Sequence, residues 1–219
     1  MKYIKTPVYE FEELSEQTKQ KVIDREREFY FDCMFEDDLH LWLFDSDRCP
    51  LINSGVSIDK LSDLSYDLSN YQYDHVAFRQ CSFDIDMLLE KSEMLKFIAQ
   101  QCEHIPIAVA DYLKNLDFSW RMDSRDPFCS SGEVVVDEIE DWEELIDGED
   151  YQDSAYDLQE KIASVLTAYM HELQHKLYDY LIELTDDMSS EENIIANLDS
   201  DLLYDSNGTS YTREEVEEE

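Results

Sequence analysis

Basic residues are scarce in this sequence beside its acidic ones. Its 219 residues hold 17 Lys and Arg against 54 Asp and Glu, a formal net charge of −37. A nucleic-acid binder working through a basic face is excluded, because phosphate neutralisation needs clustered Lys and Arg. Binding to anionic membranes is disfavoured on the same ground. Glycine and proline are equally scarce, four of each, which leaves little material for flexible linkers, a Gly-rich phosphate loop or a Gly-x-Ser-x-Gly elbow. No run approaches the roughly 18 apolar residues of a membrane span, and the opening Met1 to Pro7 has no apolar core of a signal peptide, so a soluble, cytoplasmic protein is expected. The five cysteines, Cys33, Cys49, Cys81, Cys102 and Cys129, are odd in number and include no C-x-x-C pair. Reduced, mostly buried thiols are expected in place of a disulfide framework or a Cys-based zinc site.

What is present is core-forming. Hydrophobic residues make up 43%, with 14 Tyr, 10 Phe and 3 Trp, so the acid excess sits on a chain that can fold. Ser15 is placed to cap a helix in which Val22, Phe29, Cys33 and Ile23, Tyr30, Met34 form an apolar stripe. The stripe runs on through Leu39, Leu41, Trp42 and Leu43 until Cys49-Pro50 and Asn53-Ser54-Gly55 end it. Leu64 to Leu68 and Val76 to Phe83 read as two strands joined around Asn70 to His75 in an antiparallel pair. Ser92 opens a further helical pattern, interrupted at Pro106. Leu116 to Met122 and Glu133 to Ile139 are the next strand candidates, across the turn-rich Asp126-Pro127 and Ser130-Ser131-Gly132.

The longest helix runs over about 151–184, with Leu158, Ile162, Leu166, Leu173, Leu177 and Leu184 among residues three and four apart. Asn207-Gly208 predicts a tight hairpin, because both residues tolerate positive φ. The expected fold is α+β, an antiparallel sheet of short strands packed against several helices. It forms a single domain over 1–212, with a candidate sub-boundary near 124–132 and a solvated acidic tail over 213–219.

The charge is clustered. No Lys or Arg lies between Asp126 and Glu160, where Asp137, Glu138, Glu140, Asp141, Glu143, Glu144, Asp147, Glu149, Asp150 and Asp153 put ten carboxylates in seventeen residues. A second base-free stretch runs from Leu177 to Thr212, and a third, Glu28 to Asp47, includes Glu36, Asp37 and Asp38. Lys19, Lys21, Arg25 and Arg27, by contrast, all fall in the first helix. Such clustering costs self-repulsion. Solubility or adaptation to high salt is one explanation. Mimicry of a nucleic acid is a sharper one, because duplex DNA carries roughly one negative charge per 1.7 Å of axis and its binders offer a Lys/Arg groove.

His171-Glu172-Leu173-Gln174-His175 matches H-E-x-x-H on the long helix, where two imidazoles one turn apart could share zinc while the Glu activates water. The longer metzincin pattern is not met, since Tyr178 and Leu181 stand where Gly and His are needed. Asp205-Ser206-Asn207-Gly208 with Glu214 imitates part of a calcium loop but puts Leu203 at the first ligand position. No metal or other cofactor is expected from either, and the zinc-dependent hydrolase is kept as the alternative reading.

Tyr9-Glu10-Phe11-Glu12-Glu13-Leu14-Ser15-Glu16-Gln17-Thr18-Lys19 resembles the F-x-E-L-S-E-x-A-K opening of a group of acidic phage and prophage proteins that carry an antitoxin-like label. Asn70 to Phe78 is similar to that group's Y-S-Q-G-D-G-x-x-F strand, keeping Gln72, Asp74 and Phe78 and lacking both glycines. Leu177 to Leu181, Ser189 to Asn197 and Tyr204 to Gly208 resemble its closing helix, S-D-E-x-I segment and turn. The resemblance implies a phage origin, an α+β fold and a helix without a zinc site at 171–175. By charge and origin, such a protein is similar to the DNA mimics that inhibit restriction enzymes and CRISPR nucleases. A non-enzymatic anti-defence inhibitor in the host cytoplasm is therefore expected. Its acids at Glu36, Asp37, Asp38 and over Asp137 to Asp153 would fill the basic DNA-binding groove of a host nuclease complex. Direct nucleic-acid or membrane binding is not expected, and homodimerisation is left open.

Overall fold

A computed structural model describes residues 7–68, 75–84, 87–88, 117–122, 132–137 and 149–217. Among these residues, helices α1 (Glu16–Cys33), α2 (Phe35–Phe44), α3 (Glu149–Met188), α4 (Glu191–Ala196) and α5 (Arg213–Glu217) are combined with eight short strands in four antiparallel pairs, an α+β architecture. The short antiparallel strands expected are arranged, among the described residues, as two-stranded ribbons. No helix among those residues is long and apolar enough to cross a membrane. The chain forms two compact units, residues 1–41 with 183–219 and residues 42–182. Both boundaries fall inside helices, where no linker composition marks them.

In the first unit, Ser15 caps α1 by accepting the Thr18 N–H at 3.2 Å, as its residue type favours. The N-terminal segment pairs with strand β7 (Leu202–Tyr204), the Tyr9 N–H donating to the Tyr204 carbonyl at 2.8 Å and the Tyr204 N–H returning to Tyr9 at 2.9 Å. Leu14, Val22 and Tyr204 are buried together, with Tyr9, Phe11, Leu198 and Leu202 packed around them. Strand β8 (Ser210–Thr212) completes the hairpin.

Its turn differs from the tight hairpin expected of Asn207-Gly208. Five residues, 205–209, connect the strands, and only Gly208 has positive φ, at 91°. The buried Asp205 carboxylate organises the loop, accepting the N–H groups of Asn207 at 2.8 Å and Thr209 at 3.0 Å. Gly208 also lies against α1, where a Cβ would stand 3.3 Å from Val22. The Thr209 and Asn207 N–H groups hold the Asp205 carboxyl below its ordinary range. Its contribution is thus present above the unfolded carboxyl pKa, near 4, and is lost as pH falls through the lower folded value. Asp205→Ala is expected to cost about 2 kcal/mol at neutral pH in urea unfolding, the scale of losing charge-assisted hydrogen bonds at a partly closed site, with the deficit shrinking in acid.

The C-terminal segment expected as a tail is helical from Arg213 to Glu217. Thr212 and Glu215 cap each other, the Thr212 N–H donating to Glu215 at 2.8 Å and the Glu215 N–H to the Thr212 hydroxyl at 3.3 Å. Thr212-x-x-Glu215 is a capping box that the acidic composition hides. Residues 213–216 are exposed, so the segment is solvated as expected.

In the second unit, β2 (Leu64–Asp67) pairs antiparallel with β3 (His75–Phe78), from Leu64 opposite Phe78 to Asp67 opposite His75. The expected strand Val76 to Phe83 divides in two, because β4 (Ser82–Phe83) turns away to pair with β1 (Val56–Ser57). Strands β5 (Asp117–Met122) and β6 (Gly132–Asp137) fall on the two later strand candidates and pair antiparallel with each other. Gly132 is required there, since a Cβ would run into the Trp120 indole. That indole is buried and donates its Nε1–H to the Phe78 carbonyl at 2.8 Å.

Helix α3 buries Ile162, Leu166, Met170, Leu173, Leu177 and Leu181, the row its spacing demands. Its Thr167 hydroxyl accepts the Val134 N–H at 2.9 Å, and its Tyr169 hydroxyl donates to the Ser54 carbonyl at 2.7 Å. Tyr180 reaches the Ser46 hydroxyl at 2.9 Å. A polar hydroxyl on an apolar ring can close such a loop without leaving a buried carbonyl unpaired. The helical pattern opening at Ser92 lies outside the described residues.

Candidate interaction surface

Arg25 and Arg27 explain why bases concentrate in the first helix. Arg25 Nη1 donates to the Gly208 carbonyl at 2.7 Å and Arg27 Nε to the Ser189 carbonyl at 2.9 Å. The two guanidinium groups fasten the C-terminal segment to α1. They are also consumed locally by carboxylates, Arg25 by Glu26 at 2.7 Å and Arg27 by Asp24 at 3.2 Å. Lys19 pairs with Glu16 at 3.1 Å, and Arg213 with Glu10 at 2.7 Å. The few cations of this unit, 7 against 24 acids, thus leave the field of the acids strongly uncompensated.

Some acids have a local reason. Glu36, Asp37 and Asp38 occupy the first turn of α2, Glu191 and Glu192 that of α4, and Glu214 and Glu215 that of α5. Carboxylates complement the positive end of a helix by about 0.3–1 kcal/mol each. Placement for helix stability would equally put Lys or Arg at the opposite ends. No last turn of these helices, or of α1 and α3, carries a base. Helix α3 instead ends in Asp186 and Asp187, both exposed, where the dipole disfavours negative charge. With the exposed Glu183 they occupy about 6 Å of helix axis at 1.5 Å per residue. That is about one charge per 2 Å, close to the duplex value of roughly 1.7 Å. Glu191 and Glu192 follow across the link that Arg27 holds, so the corner from 183 to 192 presents five exposed carboxylates on ordered backbone.

The sequence reading selects other acids. Glu36 and Asp37 are exposed, while Asp38 is half-buried beside Tyr30. Burial, then the neighbouring Asp38 carboxylate, pushes the Tyr30 hydroxyl pKa far upward. Asp38 is the member of that trio drawn toward the interior of the unit, and Glu36 and Asp37 are the ones that face solvent. In the Asp137 to Asp153 block, Asp137 ends β6 in register with Asp117, and Glu149, Asp150 and Asp153 fall in the opening turns of α3. Glu138, Glu140, Asp141, Glu143, Glu144 and Asp147 lie outside the described residues. The corner at 183–192 falls in a base-free stretch visible in the sequence. What sequence reasoning missed is that a helix end and a helix start meet there.

The H-E-x-x-H residues are engaged otherwise. His171 is half-buried, its Nδ1 3.1 Å from Gln174 Oε1 and its ring edge-on to Trp120 at 5.8 Å. Glu172 pairs with Lys176 Nζ at 2.6 Å, and His175 is exposed. Among the described residues, no three His, Cys, Asp or Glu side chains are grouped to hold a metal ion. Asp205, the strongest of the calcium-loop lookalikes, spends its carboxylate on backbone N–H groups. Of the thiols described, Cys33 is exposed, Cys49 buried and Cys81 half-buried, and all three are free. Burial pushes the Cys81 thiol pKa up to about 12 and that of Cys49 upward, which keeps both in the unreactive protonated form.

Compared with known protein families, curated proteins and solved structures, the chain matches none.

Proposed function

We propose that this chain is a non-enzymatic, phage-encoded anti-defence protein whose acidic surface competes with DNA for the basic groove of a host restriction or CRISPR nuclease complex. The observation that carries the reading is the end of α3. Asp186 and Asp187 sit where helix electrostatics disfavours them, and no described helix carries a base in its own last turn, the cation at the end of α3 being Arg27 of α1 on the Ser189 carbonyl. A surface that only had to stay soluble gains nothing from such placement, whereas one that replaces a run of phosphates needs fixed carboxylates without intervening bases. The phage origin rests on the sequence resemblance alone. The acids proposed to make the contact are Glu36 and Asp37, those of the Asp137 to Asp153 block and those of the corner at 183–192.

The test is recovery followed by competition. Proteins retained from a bacterial lysate on the immobilised chain at low salt are eluted at high salt, and the eluted partner is titrated with labelled duplex DNA. Saturating chain is expected to displace the duplex at low salt, with displacement weakening steeply as salt rises. An eluted partner that holds its DNA unchanged in the presence of saturating chain would remove mimicry as the explanation.

A further inference from the structure

Seven large apolar side chains among the described residues are markedly exposed, and four of them fall between residues 29 and 41. Phe29 is 55% exposed, Phe31 41%, Met34 49% and Leu41 52%. Scattered apolar residues on a surface need no explanation, but a concentration of this kind does. One member of the group is also held in place. Phe31 packs against Phe35 with ring centroids 5.6 Å apart and against the buried Tyr30 at 5.4 Å, so its ring is set before any partner arrives. Met34, Asp37 and Leu41 follow one another at helical spacing along the exposed row of α2, while Leu39 and Leu43 take the buried one. The acids Glu28, Asp32, Glu36 and Asp37 are exposed among these apolar residues.

The mixture of apolar and acidic groups selects the occupant. A second copy of this chain would bring the same carboxylates against themselves, since residues 28–47 hold no Lys or Arg. Nucleic acid and anionic lipid carry the wrong sign. An apolar partner without bases would strip water from four carboxylates and offer nothing in return. We infer that the turn between α1 and α2 docks a protein surface in which an apolar pocket is rimmed by Lys and Arg, with Phe29, Met34 and Leu41 as anchors. The anchors supply the central desolvated contact and the acids the rim, the usual division in protein interfaces. The inference rests on the reading of the chain as a ligand of basic protein surfaces and adds that the groove it enters is not purely electrostatic.

Two helical probe peptides of equal positive charge separate the two claims, one alternating Lys with Leu on one face and the other Lys with Ser. The Leu/Lys peptide is expected to bind the full chain at least tenfold more tightly. It should also slow alkylation of the exposed Cys33, followed by peptide mass mapping, more than the Ser/Lys peptide at equal occupancy. The triple variant Phe29→Ser, Met34→Ser, Leu41→Ser should lose that tenfold preference and keep its affinity for the Ser/Lys peptide, with its thermal unfolding unchanged. Equal binding of the two peptides to the wild-type chain, or alkylation of Cys33 unaffected by the Leu/Lys peptide, overturns the apolar anchor and leaves the acidic-surface reading standing. Failure of both peptides to bind at low salt overturns both.

Discussion

Replacing Glu140, Asp141, Glu143 and Glu144 with Lys is expected to weaken competition with DNA for the salt-eluted partner by about 100-fold at low ionic strength. Each reversal would turn an attraction toward a basic groove into a repulsion, and the four lie within five consecutive residues. Steering by a concentrated field raises association rates by about 10 to 1,000-fold, and rim charges act chiefly on the association rate. Most of the loss should therefore appear in the on-rate and little in the off-rate, read by stopped-flow or surface-binding kinetics. Raising the salt should bring the variant and the parent together, because it removes what the parent had and the variant lost. The same reversal made at Asp186, Asp187, Glu191 and Glu192 tests the corner at the end of α3. If neither set changes the competition, the located carboxylates do not set the function.

Phe78→Ala should lower unfolding free energy by about 3–5 kcal/mol, the range for emptying a fully buried aromatic site. Phe78 is 0% exposed on β3, opposite Leu64, and its carbonyl receives the Trp120 indole N–H. The cavity would open where a ribbon meets a buried indole, so the loss reaches beyond a single strand. Domains are stable by only about 5–15 kcal/mol, and this chain folds against the self-repulsion of −37 charges. The urea midpoint of Phe78→Ala should drop by about a fifth or more of the parent value. Added salt should recover part of the difference from full stability in both proteins by screening the repulsion, without closing the gap between them. A drop under 1 kcal/mol would mean that the site collapses around the missing ring.

The two kinds of prediction draw on different parts of what the sequence shows. Elements with a local cause were legible. Ser15 caps the helix it precedes, the three-and-four spacing of Ile162, Leu166, Leu173 and Leu177 yields the buried row of α3, β2 pairs with β3 as their pattern predicts, and β5 and β6 lie where strands are expected. The stripe of α1 was read only in part. Val22, Ile23 and Tyr30 are buried, but Phe29, Cys33 and Met34, expected on the same apolar face, are exposed. Periodicity states which residues share a face and not what lies over it. The segments that cover α1 attach at Thr18, Arg25 and Arg27, through Ser206, Gly208 and Ser189, and the last turn of the helix lies past these attachments.

The acids divide the same way. Composition alone settles the sign of the net charge and the scarcity of bases, which speak against nucleic acid or anionic lipid as a direct ligand, because charge is counted residue by residue and needs no fold. Which carboxylates stand together is a tertiary matter. Asp38 turns in beside Tyr30 and Asp205 into its own loop, whereas the end of α3 and the start of α4 meet at a link held by Arg27. The hairpin at 205–209 shows the reason at small scale. Asn207-Gly208 is a sound signal for a turn, but a carboxylate two residues earlier captured the backbone N–H groups and lengthened the loop. Contacts between residues distant in sequence, here Gly208 with Arg25, reward a geometry that no local pattern contains.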